Sequence, residues 1–441
     1  MEKNLMKNFF KYVSLNIAGM IGLSCYIVAD TFFISKDMGA IGIASLNFSI
    51  SIYSIIYATG LMIGIGGASR YGILKSKEHS DRANIVFNHS VKSGVGIGMV
   101  FALIGALGSK YLASLLGARG EVLLLVDIYL KVILVFSPFF ILNNVILAFV
   151  RNDNNPRLSM LAMLIGSFSN ILLDYIFIFM LNLGMFGAAL ATSIAPIISL
   201  ICLSVHFLKH KNGFAFSKVD FDIRVLIDLI GLGLSAFVAE ISSGIVLISF
   251  NLVILKLAGN IGVAAYGIIA NIALVGVSVF TGLAQGIQPI LSRAYGRQDK
   301  CEVDRILRYG IFSAVSIAIV IYICMLIFSN EVIGAFNSEG NRLVFEMANR
   351  GVVIYFAGFL FAGINIVLMM YLSVIERVKE AFKISVLRGG LLIIPLVILL
   401  SAIWEMDGVW LSFIVNEFLV CVLAIYSVKD KSRSLIFNSF L

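Results

Sequence analysis

Gly184-Met-Phe-Gly-Ala-Ala-Leu-Ala-Thr-Ser-Ile-Ala-Pro-Ile-Ile-Ser-Leu-Ile-Cys-Leu-Ser-Val-His-Phe-Leu208 carries no Asp, Glu, Lys or Arg. At about 1.5 Å per helical residue, the run exceeds the roughly 30 Å of hydrocarbon in a bilayer. It reads as a membrane span, and similar runs recur along the whole chain. Of 441 residues, 60% are hydrophobic and 13% charged, with a mean hydropathy of +1.01. Soluble domains are roughly 45–50% apolar and 25% charged, so a soluble fold is excluded. The expected class is an all-α polytopic membrane protein. Spans read at about 12–35, 43–69, 86–110, 121–149, 157–182, 184–208, 226–257, 262–291, 306–329, 346–374, 382–404 and 407–428, about twelve in all.

An even number of spans puts both termini on one side of the membrane. The basic residues concentrate at the N-terminus, in the loops at 70–92, 151–157, 209–224, 293–308 and 377–383, and in the C-terminal tail. The opposite side holds only Lys36, Lys110, Arg119, Lys256, Arg342 and Arg350, with Lys131 and Arg388 inside spans. By the positive-inside rule both termini are cytoplasmic. The formal charge of +8 thus follows from topology and implies no nucleic-acid partner. The start, MEKNLMKNFFK, has the charge of a signal n-region, but the apolar run behind it continues to Ile34 with no small-x-small cleavage pattern. It is the first span. Cys25, Cys202, Cys301, Cys324 and Cys421 are odd in number and scattered, which suits neither a disulfide framework nor a metal site.

Gly39-Ala-Ile-Gly-Ile-Ala44 matches Gly259-Asn-Ile-Gly-Val-Ala264, each in the turn between the first two spans of a half. With a gap of a few residues, Tyr71-Gly72 falls on Tyr295-Gly296 and Asp81-Arg82 on Asp304-Arg305. The pattern predicts two six-helix lobes, residues 1–215 and 216–441, with the loop at 209–224 as linker. Six spans per lobe give a parallel repeat, a known transporter architecture around a central cleft.

No G-x-x-x-x-G-K-[ST] loop occurs, so ATP is not the direct energy source. No H-E-x-x-H or G-x-S-x-G motif occurs, and His79, His89, His206 and His210 lie at helix ends or in loops, which disfavours an enzyme. At membrane depth stand Asp30, Asp127, Lys131, Asp174, Glu240, Arg388 and Glu417. Burying such groups is costly, so they are paired or functional. Asp127 and Lys131, four residues apart, are expected to pair, as are Arg388 and Glu417 across the last two spans. Asp30 and Asp174 have no basic neighbour at helical spacing. Span directions place Asp30, Asp174 and Thr192 in the outer half of the first lobe and Asn170 near its middle. Two carboxylates, an amide and a hydroxyl there could ligate a small cation or share a proton. Glu240 faces either the cleft or its own bundle, where neighbouring serines would satisfy a protonated carboxyl.

Taken together, Tyr26-Ile-Val-Ala-Asp30-Thr-Phe-Phe-Ile, Gly39 to Ala44, Arg151-Asn-Asp-Asn-Asn-Pro156, Asn170-Ile-Leu-Leu-Asp174, Gly187-Ala-Ala-Leu-Ala-Thr192, Ala264-Ala-Tyr-Gly267, Gly282-Leu-Ala-Gln-Gly-Ile-Gln-Pro289 and Asp407-Gly-Val-Trp410 resemble the multidrug and toxic compound extrusion (MATE) transporters, in their MepA-like branch. The resemblance implies secondary export of amphipathic, often cationic, drugs or metabolites in exchange for Na+ or H+, by a monomer in the bacterial cell membrane with lipid around it and neither cofactor nor nucleotide. It puts the cation site on Asp30, Asn170, Asp174 and Thr192, the group collected by depth, with sodium favoured by the neutral oxygens of Asn170 and Thr192. It assigns the substrate cleft to Glu240, Asn271, Gln285, Gln288 and Arg388. This chain has Asn16, and Gly233 or Ser235, where many members have proline, and Asn365 where some sodium-coupled members have aspartate. The alternative is a lipid-linked oligosaccharide flippase of the same superfamily, which needs several cationic side chains for pyrophosphate; only Lys131 and Arg388 qualify.

Overall fold

The structure, a computed structural model, describes residues 2–337 and 340–429, and is helical along almost all of them. In chain order the helices are α1 (Glu2–Ser76), α2 (Ser80–Leu115), α3 (Gly120–Val135), α4 (Ser137–Asn152), α5 (Pro156–Asp174), α6 (Gly184–Leu208), α7 (Ile223–Gly296), α8 (Lys300–Phe336), α9 (Arg342–Tyr355), α10 (Phe359–Val374), α11 (Val378–Val386) and α12 (Ile393–Lys429). Wide π-helical turns follow α5 (Tyr175–Met180) and α11 (Leu387–Leu391). Among the described residues there are nine apolar segments able to cross a bilayer, if α3 and α4, bent by 49°, count as one. Three of these are double. Gly39 breaks α1, Gly259 breaks α7, and Trp404–Glu405 breaks α12. Divided there, the described residues hold the twelve spans that the hydropathy pattern predicts.

The two glycine turns are nearly the same object. Gly39 has φ 58°, ψ −144° and Gly259 φ 60°, ψ −152°, a region that only glycine adopts readily. Three residues later Gly42 sits against Ile34 and Met38, and Gly262 against Ile254 and Ala258, at matching positions. The correspondence continues without the gap expected from Tyr71-Gly72 and Asp81-Arg82. α1 and α7 end at Ser76 and Gly296, and Glu78 and Gln298 both take positive φ, at the same separation as Gly39 and Gly259. The repeated dipeptides therefore lie at different heights in the two halves. Turns fix spacing through backbone geometry, whereas side chains along a lipid-facing or core-facing helix are free to diverge.

By internal packing the chain forms two units. The first holds the described residues up to Phe237 with Ser292–Gln298, and the second Val238–Leu291 with the described residues from Asp299 onward. In the first unit α1 packs on α4 and α5, α2 on α3 and α4, and α5 on α6. Small residues set these approaches: a Cβ on Gly64 would lie 2.8 Å from the Asn144 carbonyl oxygen, and one on Gly66 would strike the Leu229 carbonyl. The linker is bound to this unit. Asn84 Oδ1 accepts from the Ala215 N–H (2.7 Å), Asn88 donates to the Ala215 carbonyl (2.9 Å) and accepts from the Ser217 N–H (2.9 Å), and His89 Nε2 accepts from the Asp222 N–H (2.9 Å). The Phe214 ring is buried against Phe87, with centroids 4.3 Å apart. Arg70 then grips Asp228 of α7 with two hydrogen bonds, at 2.6 and 2.5 Å. In the second unit α10 is central, packing on α8, α11 and α12.

Candidate functional site

Asn170 and Asp174 stand one turn apart on one face of α5, and α5 gives way to its π-helical turn directly after Asp174. Such wide turns often accompany functional sites. The same turn sequence brings α6 back beside α5, which places Thr192 opposite Asn170. In the orientation that satisfies both ends of its amide, Asn170 donates to Asp174 Oδ2 (3.1 Å) and accepts from the Thr192 N–H (3.2 Å). Asp30, on the first arm of α1, interacts electrostatically with Asp174. Asp174 and Asn170 are fully buried, and Thr192 and Asp30 are 5% and 6% exposed. The Oδ1 atom of Asp30 and that of Asp174 have no hydrogen-bond partner among the described residues.

The structure thus gathers the four residues that depth arguments collected. It also adds Tyr129 of α3, which meets Thr192 and feels both carboxylates, and Tyr26, whose hydroxyl lies 2.9 Å from that of Tyr53 and within the field of Asp30. Tyr26 is four residues before Asp30, a spacing that could have exposed it. Tyr129 is one aromatic among many and left no signal. Pro196 lies inside α6 and has no N–H to return to the Thr192 carbonyl four residues back, which leaves that oxygen available.

Two buried carboxylate oxygens thus stand without donors among the described residues. Each such oxygen costs free energy until a proton or metal ion satisfies it. Among the described residues no group of three His, Cys, Asp or Glu could hold a metal ion. A metal here would rest on the Asp30 and Asp174 oxygens with neutral hydroxyl and carbonyl oxygens, and Asn170 spends its own oxygen on the Thr192 N–H.

The remaining candidates do not gather in this way. Glu240 is half-buried and takes no hydrogen bond from any described residue, while Ser243 beside it donates to its own helix at the Ala239 carbonyl. Asn271 is exposed and turned back on the Gly267 carbonyl (2.8 Å), and Gln285 and Gln288 are buried. Arg388 and Glu417 form the expected ion pair, with N–O separations of 2.8 and 3.1 Å. The Asp127–Lys131 pair does not form. Lys131 is exposed, and Asp127 instead accepts from Ser109 of α2 at 2.5 Å, because a hydroxyl on a packed neighbouring helix is nearer than a cation that turns away from the bundle.

Residues 17–176 and 236–399 match the MatE family. The chain belongs to this family. It is therefore a multi-pass membrane transporter, and Asp30, Asn170 and Asp174 lie in the first of the two matched stretches, with Thr192 sixteen residues beyond its end. The multidrug export protein MepA of Staphylococcus saprophyticus is 26% identical over 92% of this chain and 90% of its own length. MepA of Staphylococcus aureus strain N315 has the same identity and coverage. Among solved structures, a MOP superfamily transporter from Pyrococcus furiosus matches with a TM-score of 0.90 at 21% identity, covering 96% of this chain and 95% of that one. The Vibrio cholerae MATE transporter VcmN matches with a TM-score of 0.90 at 19% identity, covering 98% of both chains. These likenesses give the MATE fold end to end.

Proposed function

We propose that the chain is a multidrug exporter of the bacterial cell membrane, moving amphipathic, often cationic, small molecules outward in exchange for a cation taken up at Asp30 and Asp174. The observation that carries the coupling step is the pair of buried Oδ1 atoms without donors. Two carboxylates close together in a low-dielectric bundle cannot both stay ionised without a proton or metal ion between them. Cation occupancy thereby becomes a requirement of one conformation, and an ion shifts a conformational equilibrium by its differential affinity for the two states. A proton suits this arrangement better than sodium, because Asn170 spends its oxygen within the cluster and sodium wants five or six oxygens. Glu240, half-buried and without a donor, is the carboxylate suited to attract a cationic substrate.

The flippase alternative is not favoured. Of the two membrane-depth cations it would need, Lys131 is exposed and Arg388 is bound to Glu417.

The test is transport of a fluorescent cationic dye by reconstituted protein under an imposed proton or sodium gradient. Asp30→Asn and Asp174→Asn are each expected to reduce gradient-driven transport to background while unfolding temperature stays near that of the parent. Glu240→Gln is expected to slow cationic dyes more than neutral ones. Transport that persists in both aspartate variants rejects the coupling site, and an equal effect of Glu240→Gln on both dye classes rejects the role of Glu240.

A further inference from the structure

The second unit carries a membrane-depth carboxylate of its own, and its surroundings are the reverse of those around Asp30 and Asp174. Glu417 of α12 is 2% exposed, yet both of its oxygens are satisfied. Arg388 Nε donates to Oε1 (2.8 Å) and Oε2 (3.1 Å), and Asn365 Nδ2 of α10 donates to Oε2 (2.7 Å) and to the Glu417 backbone carbonyl (2.9 Å). Asn416 fixes the other side by donating to the Arg388 carbonyl (3.3 Å).

The backbone around Arg388 is shaped for this contact. Arg388 is the second residue of the π-helical turn Leu387–Leu391, whose extra residue per turn re-aims side chains relative to the α11 helix before it. At the next position Gly389 lies against Ser242, so closely that a Cβ there would collide with the serine side chain. The turn is therefore pinned, and the guanidinium is delivered to Glu417 from a fixed base.

We infer that Arg388 is a tethered counter-ion: it fills permanently, in the second unit, the place that a transported cation fills between Asp30 and Asp174 in the first. Glu417 then takes nothing from solution, and each transport cycle loads cations at one site only. This rests on the reading of Asp30 and Asp174 as the coupling site, and it sets the stoichiometry of that reading. An arginine is suited to the task because it stays protonated in any protein environment, whereas a lysine or histidine could release its proton.

Cation sites are counted on the purified full-length protein with radiolabelled sodium and, in parallel, with proton uptake followed by a pH indicator. The parent is expected to show one saturable site, absent in Asp30→Asn. Arg388→Gln exposes Glu417 to solution cations and is expected to show two, one of which survives in Asp30→Asn/Arg388→Gln. Because a lone Arg388→Gln change can compromise folding, Arg388→Gln/Glu417→Gln replaces the pair by two neutral amides and is expected to keep one Asp30-dependent site. A parental site count in folded Arg388→Gln, or a second site in the double-amide variant, overturns the inference while leaving the Asp30–Asp174 site intact. Absence of an Asp30-dependent site in the parent removes the coupling reading itself, and the inference with it.

Discussion

Asp153, just past the end of α4, is a carboxylate whose partners are scattered through the sequence. Tyr71 donates to Oδ1 (2.8 Å), and Oδ2 receives His206 Nε2 (3.0 Å) and the Gly213 N–H (2.5 Å). Asn155 donates to Nδ1 of His206 (3.2 Å), so the hydrogen-bond network assigns the ring proton to Nε2, facing Asp153. Burial is the largest influence and opposes ionisation, but the three donors outweigh it and hold the carboxyl below its ordinary pKa. A depressed folded-state pKa contributes stability that is present above the unfolded pKa of about 3.9 and is lost as pH falls through the folded value. Asp153→Asn is therefore expected to cost on the order of 2 kcal/mol at neutral pH, with the deficit shrinking once pH drops below about 4. Thermal unfolding in detergent across a pH series checks this, and a deficit that stays constant into acid would show that the charge is irrelevant. The Arg151-Asn-Asp-Asn-Asn-Pro156 stretch was legible as a family feature, but its role was not, because Tyr71, His206 and Gly213 are neighbours only after folding. Asp30, Asn170, Asp174 and Thr192 were legible because depth along a span can be counted. That Asn170 turns its oxygen away from the carboxylates depends on amide orientation, to which counting is blind.

Turns were the most legible elements and bends the least. The match of Gly39–Ala44 to Gly259–Ala264 located two turns, since a backbone at positive φ with strongly negative ψ favours glycine and leaves a mark in sequence. The α3–α4 bend at Phe136 and the π-helical turns after α5 and α11 stayed hidden within apolar runs, where periodicity carries no sign of an extra or missing residue. The glycine turns allow strain to be measured alone. A Cβ at Gly39 or Gly259 would meet nothing within 4 Å, so the loss in Gly39→Ala or Gly259→Ala is purely conformational and is expected to be about 1–3 kcal/mol at each. Glu405 offers the reverse experiment: an exposed non-glycine residue holding φ 49°, ψ −128°. Glu405→Gly is expected to raise the unfolding temperature while the two alanine variants lower it. Alanine variants as stable as the parent would mean that the turns relax to another conformation at no cost.

Across the whole molecule, hydropathy gave the span count, and a repeat in sequence suggested a division at residue 215, whereas packing gathers the linker and the start of α7 into the first unit. The difference lies in side-chain amides: Asn84 and Asn88 hold the linker backbone to α2 by the hydrogen bonds a neighbouring strand would make, and nothing in composition distinguishes such a strap from a loose tether. Orientation in the membrane is a separate matter, resting on the asymmetry of Lys and Arg, which makes translocation of the basic loops unfavourable. One native thiol can report it. Cys301 is exposed at the start of α8, in the loop region that also carries Arg293, Arg297, Lys300, Arg305 and Arg308. Arg342 opens α9 after the next span, on the sparsely charged side, and its side chain is 88% exposed. Its partner there is Glu346, and an exposed pair of this kind contributes little, so replacing it should leave the fold undisturbed. In a variant whose other cysteines are replaced, Cys301 is expected to resist a charged, membrane-impermeant maleimide on intact cells and to react in inside-out vesicles. A cysteine placed by Arg342→Cys should show the opposite pattern. Labelling of Cys301 from outside intact cells would invert the topology and put both termini outside, and the direction of export would then have to be reversed with it.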